Sequence, residues 1–338
     1  MSVELLRIRG PLDDEKLGWL TQIYGPVDAK YRSLDYVRHQ FVANPFGWSV
    51  HVFAVAAEGA VGHCGVVPFA ARLGDEPATV GKLEALAVAP AHRGRRAEDG
   101  GSVATDILTT LYAFAHENEL PILFGLAPPP VARIHMRAGC RQVPLDAPAY
   151  VLVSDPRSFG RTEPSRKRRA AATALSLAQS ALTARARATP QPVIAADAEL
   201  AAAETADGTW TVSGADAWDW YAGSGVLRAL ELPDSRVLVR VDEAAETTVQ
   251  IVAWRATRGG LLPAARALRA AARVARDRHA PTLRFQPWRG SGGGGELARA
   301  CRLLGFVRRP EAPLLVHTSD ERFDRAAPRL TPFFYVTF

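Results

Sequence analysis

Apolar residues recur along this chain with two periods, and their alternation predicts where strands and helices lie. Residues 83–89 form a run of small and branched apolar side chains, broken only by Glu84 and bounded by Pro90, which predicts a buried strand. Residues 102–117 carry Ile107, Leu108, Leu111 and Phe114 on one face and predict an amphipathic helix. Residues 60–69 and 121–126 predict apolar strands on either side of this pair. The second half repeats the order. Residues 236–241 and 247–254 predict two paired strands, 261–276 a helix, 281–286 a strand, 295–304 a helix, and 314–317 a strand that closes the second set.

Chemistry concentrates where the strand at 83–89 runs into the helix at 102–117. The connecting turn holds Arg93, Gly94, Arg95, Arg96, Gly100, Gly101 and Ser102. Arginines, glycine amides and a helix N-terminus converge on one place, and together they make a site for a phosphate-bearing ligand. Glu84 sits on the preceding strand, where a carboxylate can accept a proton.

These residues resemble the GNAT superfamily of N-acetyltransferases. Leu86-Ala87-Val88-Ala89-Pro90-Ala91-His92-Arg93-Gly94 is similar to the family's strand end, Val-x-Pro turn and start of the pyrophosphate loop. His135-Met136-Arg137-Ala138-Gly139-Cys140 resembles its later Tyr-x-x-hydrophobic-Gly-Phe signature, with His135 in the place of the tyrosine and Pro128 in the place of the usual asparagine. Glu98 and Asp99 depart from the family's loop by bringing negative charge beside the expected pyrophosphate. The resemblance covers residues 40–155 well. It implies an α/β protein of two GNAT-like domains, each a mixed, mainly antiparallel sheet flanked by helices. It also implies acetyl-CoA as acyl donor and Glu84 and His135 as catalytic base and acid. Leu86, Val88, Arg93, Gly94, Arg95, Arg96, Gly100, Gly101 and Ser102 are its implied donor-binding residues, and no metal is required.

In the second half, Leu303-Leu304-Gly305-Phe306 mirrors Arg137-Ala138-Gly139-Cys140, whereas Arg255-Ala256-Thr257-Arg258-Gly259-Gly260 lacks both the Val-x-Pro turn and a phosphate loop. The chain therefore reads as a cofactor-binding copy at 1–155, a basic Ala/Arg-rich linker at 156–190 and a degenerate copy at 191–338. This arrangement is similar to that of two-copy acyltransferases, including the Fem-type aminoacyl transferases and mycothiol-synthase-like enzymes.

Each candidate also has a plainer explanation. Glu84 beside a buried strand end can simply pair with Lys82 or Arg72; His135 can be a surface helix residue; His63 and Cys64, adjacent in a strand, point to opposite faces, so a satisfied core histidine is the default. Asn44-Pro45-Phe46-Gly47-Trp48 either lines an acceptor pocket with Tyr24, Tyr31 and Trp218 or forms a turn. The glycine run at 290–295 is followed by Glu296 and Leu297 rather than lysine and a hydroxyl, which excludes a P-loop.

Composition narrows the class. At 338 residues, 48% hydrophobic and 22% charged, the chain suits two globular domains. The net charge of +6 comes almost wholly from arginine, the lysines being Lys16, Lys30, Lys82 and Lys167. Cys64, Cys140 and Cys301 are odd in number and widely spaced, which fits a reducing cytoplasm without disulfides or zinc. No apolar run reaches the ~18 residues of a membrane span, and the first residues lack a signal pattern. The linker contains an alanine-rich helix at 170–188, and its arginines, including Arg166, Arg168 and Arg169, read as a solvated face, or else as a patch for an anionic membrane or nucleic acid. The expected partner is a small-molecule, sugar or peptide amine. Nucleic acid enters only in the alternative of a Fem-like transferase using aminoacyl-tRNA, and a third possibility is a non-catalytic binding protein of the same fold.

Overall fold

The computed structural model describes residues 3–93, 102–143, 149–154, 174, 183, 188–202, 208–241, 248–286, 294–309 and 314–330. The N-terminal half runs β1 (Glu4–Gly10), α1 (Asp14–Tyr24), α2 (Leu34–Phe41), β2 (Ser49–Ala56), β3 (Gly59–Leu73), β4 (Glu76–Val88), α3 (Val103–Glu117), β5 (Ile122–Leu126), α4 (Pro129–Arg137), β6 (Arg141–Val143) and β7 (Ala149–Val153). It continues through β8 (Gln191–Pro192), β9 (Thr209–Val212), α5 (Trp218–Gly223), β10 (Leu227–Leu232), β11 (Ser235–Arg240), β12 (Val249–Ala256), α6 (Leu261–Asp277), β13 (Thr282–Phe285), α7 (Gly294–Leu303), β14 (Val307–Arg309), β15 (Leu314–Thr318), α8 (Glu321–Arg325) and β16 (Ala327–Leu330). Apart from 174, 183 and 188, the helix expected over 170–188 lies outside the described residues, as does the glycine run up to 293.

Local chemistry accounts for the elements around the site. Ser102 caps α3 by accepting the Thr105 amide, and Asp13 caps α1 by accepting that of Lys16. Ile107, Leu108 and Leu111 of α3 are fully buried on the first sheet, where each such side chain contributes about 1.5–3 kcal/mol by leaving water. On α6 the packed face is mostly alanine, which lets the helix lie close to the second sheet.

The two sheets are mixed and mainly antiparallel. The first has the order β1-β2-β3-β4-β5-β15-β6, with β9 and β16 attached beyond the end of β3; the second has the order β14-β7-β13-β12-β11-β10-β8. Parallel pairing joins β4 to β5 and β12 to β13, so each half carries one strand–helix–strand crossover, through α3 and α6 respectively. The structure corrects one expectation. The strand at 314–318 does not close the second set; it lies antiparallel between β5 and β6 of the first sheet, while β7 lies between β13 and β14 of the second. The second half thus contributes β9, β15 and β16 to the first sheet, and the first half contributes β7 to the second.

One apolar core spans both halves. Phe53, Phe69 and Phe124 of the first sheet pack with Trp210, Trp220, Tyr221, Leu238 and Val252. Trp220 Nε1–H also donates to the His39 carbonyl at 2.9 Å, tying α5 to α2.

Candidate active site

Two departures from regular pairing open the centre of the first sheet. Among the described residues β4 and β5 are paired only at Gly81–Leu123 and Lys82–Phe124, after which β4 continues to Val88 with no described strand along that edge. The strands meet tightly at the paired end, where a Cβ on Gly81 would meet the stiff Val66 side chain as well as Leu123 Cδ2, at 2.6 Å, and both would have to shift. The second departure is a bulge. Cys64 pairs with Leu86 and Gly65 with Glu84, leaving Ala85 extra, at a φ of +40°. A bulge bends its strand and re-aims the side chains that follow.

A cavity of about 250 Å³ occupies the fork. Its wall is formed by Glu84, Ala85 and Leu86 of β4, Gly125 and Leu126 of β5, Pro128, Val131 and His135 at α4, and Leu315 of the exchanged strand β15. The two residues expected to act as base and acid therefore border the same space, although 51 positions separate them in the chain.

Glu84 is sealed among aromatic side chains. Its carboxylate lies 2.5 Å from Lys82 Nζ, and the two side chains are 0% and 4% exposed. Lys82, rather than Arg72, is the partner. Tyr24, Tyr31 and Tyr221 are buried close enough to feel the Glu84 charge, and burial is the main force raising their hydroxyl pKa values well above normal. Tyr24, Tyr31 and Trp218, expected around an acceptor, belong to the same core. Asn44 forms a turn, donating to the Phe41 carbonyl and accepting from the Phe46 amide.

His135 is buried, which corrects the reading of it as a surface helix residue. Its Nδ1 lies 2.6 Å from the Tyr112 hydroxyl, and Cys140 Sγ approaches that hydroxyl at 3.2 Å. Burial lowers the imidazole pKa to about 4, so the ring is neutral at pH 7. Burial likewise pushes the Cys140 thiol up to about 11, and that of Cys64 higher still. An imidazole nitrogen accepts more strongly than a thiol, so the Tyr112 proton goes to Nδ1 and Cys140 donates to the phenolic oxygen. This sets the proton of His135 on Nε2. Tyr112 has no local sequence signal for this role, because only the packing of α3 against α4 brings it to His135.

Of the expected donor-binding residues, Leu86 lines the cavity and Val88 ends β4. Arg93 turns back, its Nε–H donating to the Val88 carbonyl at 2.8 Å. Ser102 is the cap of α3. Gly94, Arg95, Arg96, Gly100 and Gly101 lie outside the described residues. Among the described residues no group of histidine, cysteine or acidic side chains has the arrangement of a metal site. No helix among them is long and apolar enough to cross a membrane.

A forked mixed sheet with a β4 bulge, a crossover helix capped beside the strand end and a second unit of the same order defines a tandem GNAT fold, and solved structures agree. A tandem GNAT protein from the clavulanic acid biosynthesis pathway aligns over 94% of this chain and 99% of its own, with a TM-score of 0.59 and 12% identity. The Saccharomyces cerevisiae N-myristoyltransferase with bound myristoyl-CoA aligns over 98% and 89%, with a TM-score of 0.60 and 8% identity. A putative acetyltransferase from Pyrococcus horikoshii aligns over 96% and 95%, with a TM-score of 0.52 and 11% identity. No family model matches the sequence, and no curated protein does. At these identities the likeness is one of fold: the chain has the tandem GNAT fold.

Proposed function

We propose that the protein is an acyl-CoA-dependent N-acyltransferase, most simply an acetyltransferase acting on a primary amine of a small molecule, sugar or peptide. The observation that carries this reading is the cavity in the β4–β5 fork, with Glu84 and His135 both in its wall. The unpaired edge of β4 from Leu86 to Val88 suits an extended pantetheine chain, and the capped start of α3 with Arg93 and the residues at 94–101 suits a pyrophosphate. Acetyl is favoured as the acyl group because about 250 Å³ is small beside the ~300–1,000 Å³ of ordinary ligand clefts. In this proposal residues 1–155 form the donor-binding half, 156–190 the basic linker and 191–338 the degenerate half.

Glu84 would take the proton lost by the amine, directly or through water, as its nitrogen bonds to the acyl carbon. A β4 amide at the bulge would polarise the acyl carbonyl. As the carbon–sulfur bond breaks, the neutral His135 would donate a hydrogen bond from Nε2–H to the leaving thiolate, which takes its proton from water; the low pKa of the ring means it is not an imidazolium. A second reading rests on the sealed Lys82–Glu84 pair, which equally suits a non-catalytic binding protein of this fold.

The deciding experiment is the melting temperature with and without acetyl-CoA. A ligand at 100 times its Kd that binds only the folded chain adds about 2.7 kcal/mol of stability. A rise that is lost in an Arg93→Ala variant supports donor binding; no rise at millimolar ligand removes the acyltransferase reading. Glu84→Gln should then abolish acetylation in an amine screen while the melting shift is kept.

A further inference from the structure

Ser49 and His51 on β2, His63 on β3 and Tyr24 on α1 form a continuous line of buried polar groups through an otherwise apolar core. Ser49 Oγ is 2.6 Å from His51 Nε2, His51 Nδ1 is 3.0 Å from His63 Nε2, and His63 Nδ1 is 2.9 Å from the Tyr24 hydroxyl. The two imidazoles stack with centroids 5.2 Å apart, and Phe41 and Phe53 pack around them. Gly65 makes the stack possible, since a Cβ there would lie 3.0 Å from His51 Nδ1 and 3.2 Å from His63 Cε1. Burial lowers the pKa of His51 to about 3 and that of His63 well below normal, so both rings are neutral. Each carries a single proton, and the three hydrogen bonds must therefore point the same way along the line.

The Tyr24 end decides which way. Its hydroxyl oxygen is 2.8 Å from the His63 carbonyl and 3.1 Å from the Ala85 carbonyl. Carbonyls only accept, so the phenolic proton points at them. The phenolic oxygen then accepts from His63 Nδ1–H, His63 Nε2 accepts from His51 Nδ1–H, and His51 Nε2 accepts from Ser49. This order takes the Ser49 proton away from the Phe41 carbonyl, 2.8 Å from Oγ, but that carbonyl keeps the Asn44 side-chain amide as donor at 3.1 Å. The reverse order would return that proton to Phe41 but would set the phenolic oxygen against two carbonyl oxygens, at 2.8 and 3.1 Å, with no proton between them.

Ala85 is the bulged residue, held at a positive φ that residues with a Cβ rarely adopt. We propose that Tyr24, oriented by His63 and His51, is a positioning residue that clamps the β4 bulge and so keeps the cavity edge of β4 in its donor-binding shape. The naming of the donor rests on the acyltransferase reading; the clamp does not.

The test uses the full chain, with ¹⁵N labelling of histidine and amide hydrogen exchange alongside acetyl-CoA titration. In the wild type His51 and His63 should both be Nδ1–H tautomers, the form less common in free histidine. In Tyr24→Phe the His63 nitrogen shifts should change, amides at 84–88 should exchange at least tenfold faster, and acetyl-CoA should bind roughly tenfold more weakly. Ser49→Ala, which acts at the far end of the line, should leave exchange at 84–88 as in the wild type. Nε2–H tautomers in the wild type, or unchanged exchange at 84–88 in Tyr24→Phe, would overturn the clamp. A wild type that does not bind acetyl-CoA overturns the acyltransferase reading instead, and the nitrogen shifts and exchange still decide the clamp on their own.

Discussion

Lys82 Nζ and a Glu84 carboxylate oxygen lie 2.5 Å apart on the same face of β4, and neither side chain reaches solvent. A buried pair of this kind is strongly sensitive to loss of one partner, because the survivor keeps its charge without compensation. Lys82→Met should destabilise the fold by about 3–5 kcal/mol. Lys82→Met combined with Glu84→Gln should recover part of that loss. Urea unfolding of the two single variants and the double variant measures the coupling, and purely additive effects would show that the pair does not act as one unit.

The His135–Tyr112 contact predicts a different pattern, in which activity falls and stability is largely kept. Tyr112→Phe removes the donor that holds the His135 proton on Nε2 but retains the ring in the core. If the acyltransferase reading holds, turnover should drop by 10-fold or more with little change in donor affinity. His135 protonates near pH 4, so the wild-type rate should show no histidine inflection between pH 6 and 7. A clear inflection there that disappears in His135→Gln would contradict a neutral donor.

Acid should weaken the fold before its carboxylates titrate. His51, at about 3, and His135, at about 4, are lowered from an ordinary value near 6.5, and His63 is lowered too. Between pH 6.5 and 4 the unfolded chain therefore binds more protons than the folded one, and stability falls as pH falls. Each of these histidines can add a slope of up to about 1.4 kcal/mol per pH unit. Melting curves from pH 7.5 to 4.5 should show this decline, and a flat profile would contradict the neutral state of all three rings.

Strand exchange makes the halves interdependent. A chain ending at residue 190 lacks β15, so β5 and β6 each lose their shared neighbour, and β7 is left without β13 and β14. Expressed alone, that fragment should be insoluble or aggregate through its open edges. Adding the remaining residues as a separate chain should restore a soluble pair, which size-exclusion chromatography would detect. A well-folded, monomeric fragment would contradict this.

Much of the local structure was legible along the chain. The strand at 83–89, the helix face of Ile107, Leu108 and Leu111, and the repeated order in the second half all lie in periodicity, since neighbours three or four apart on a helix and two apart on a strand share a face. Glu84 and His135 stood out because their surroundings resembled a known strand end and helix. Other features lay beyond such reading. The apolar run Leu314-Leu315-Val316 announces a strand but not its neighbours, and only the assembled sheet places Leu315 beside the cavity. The Ala85 bulge arises from a register shift between two strands, and the His51–His63–Tyr24 line joins three elements across the core. The sequence by itself determined which segments are strands and helices and which carry reactive groups. Only the tertiary structure decided which strands are neighbours, how far the fork opens and which groups the buried His51, His63 and His135 meet, because these depend on contacts between residues that are distant in the chain.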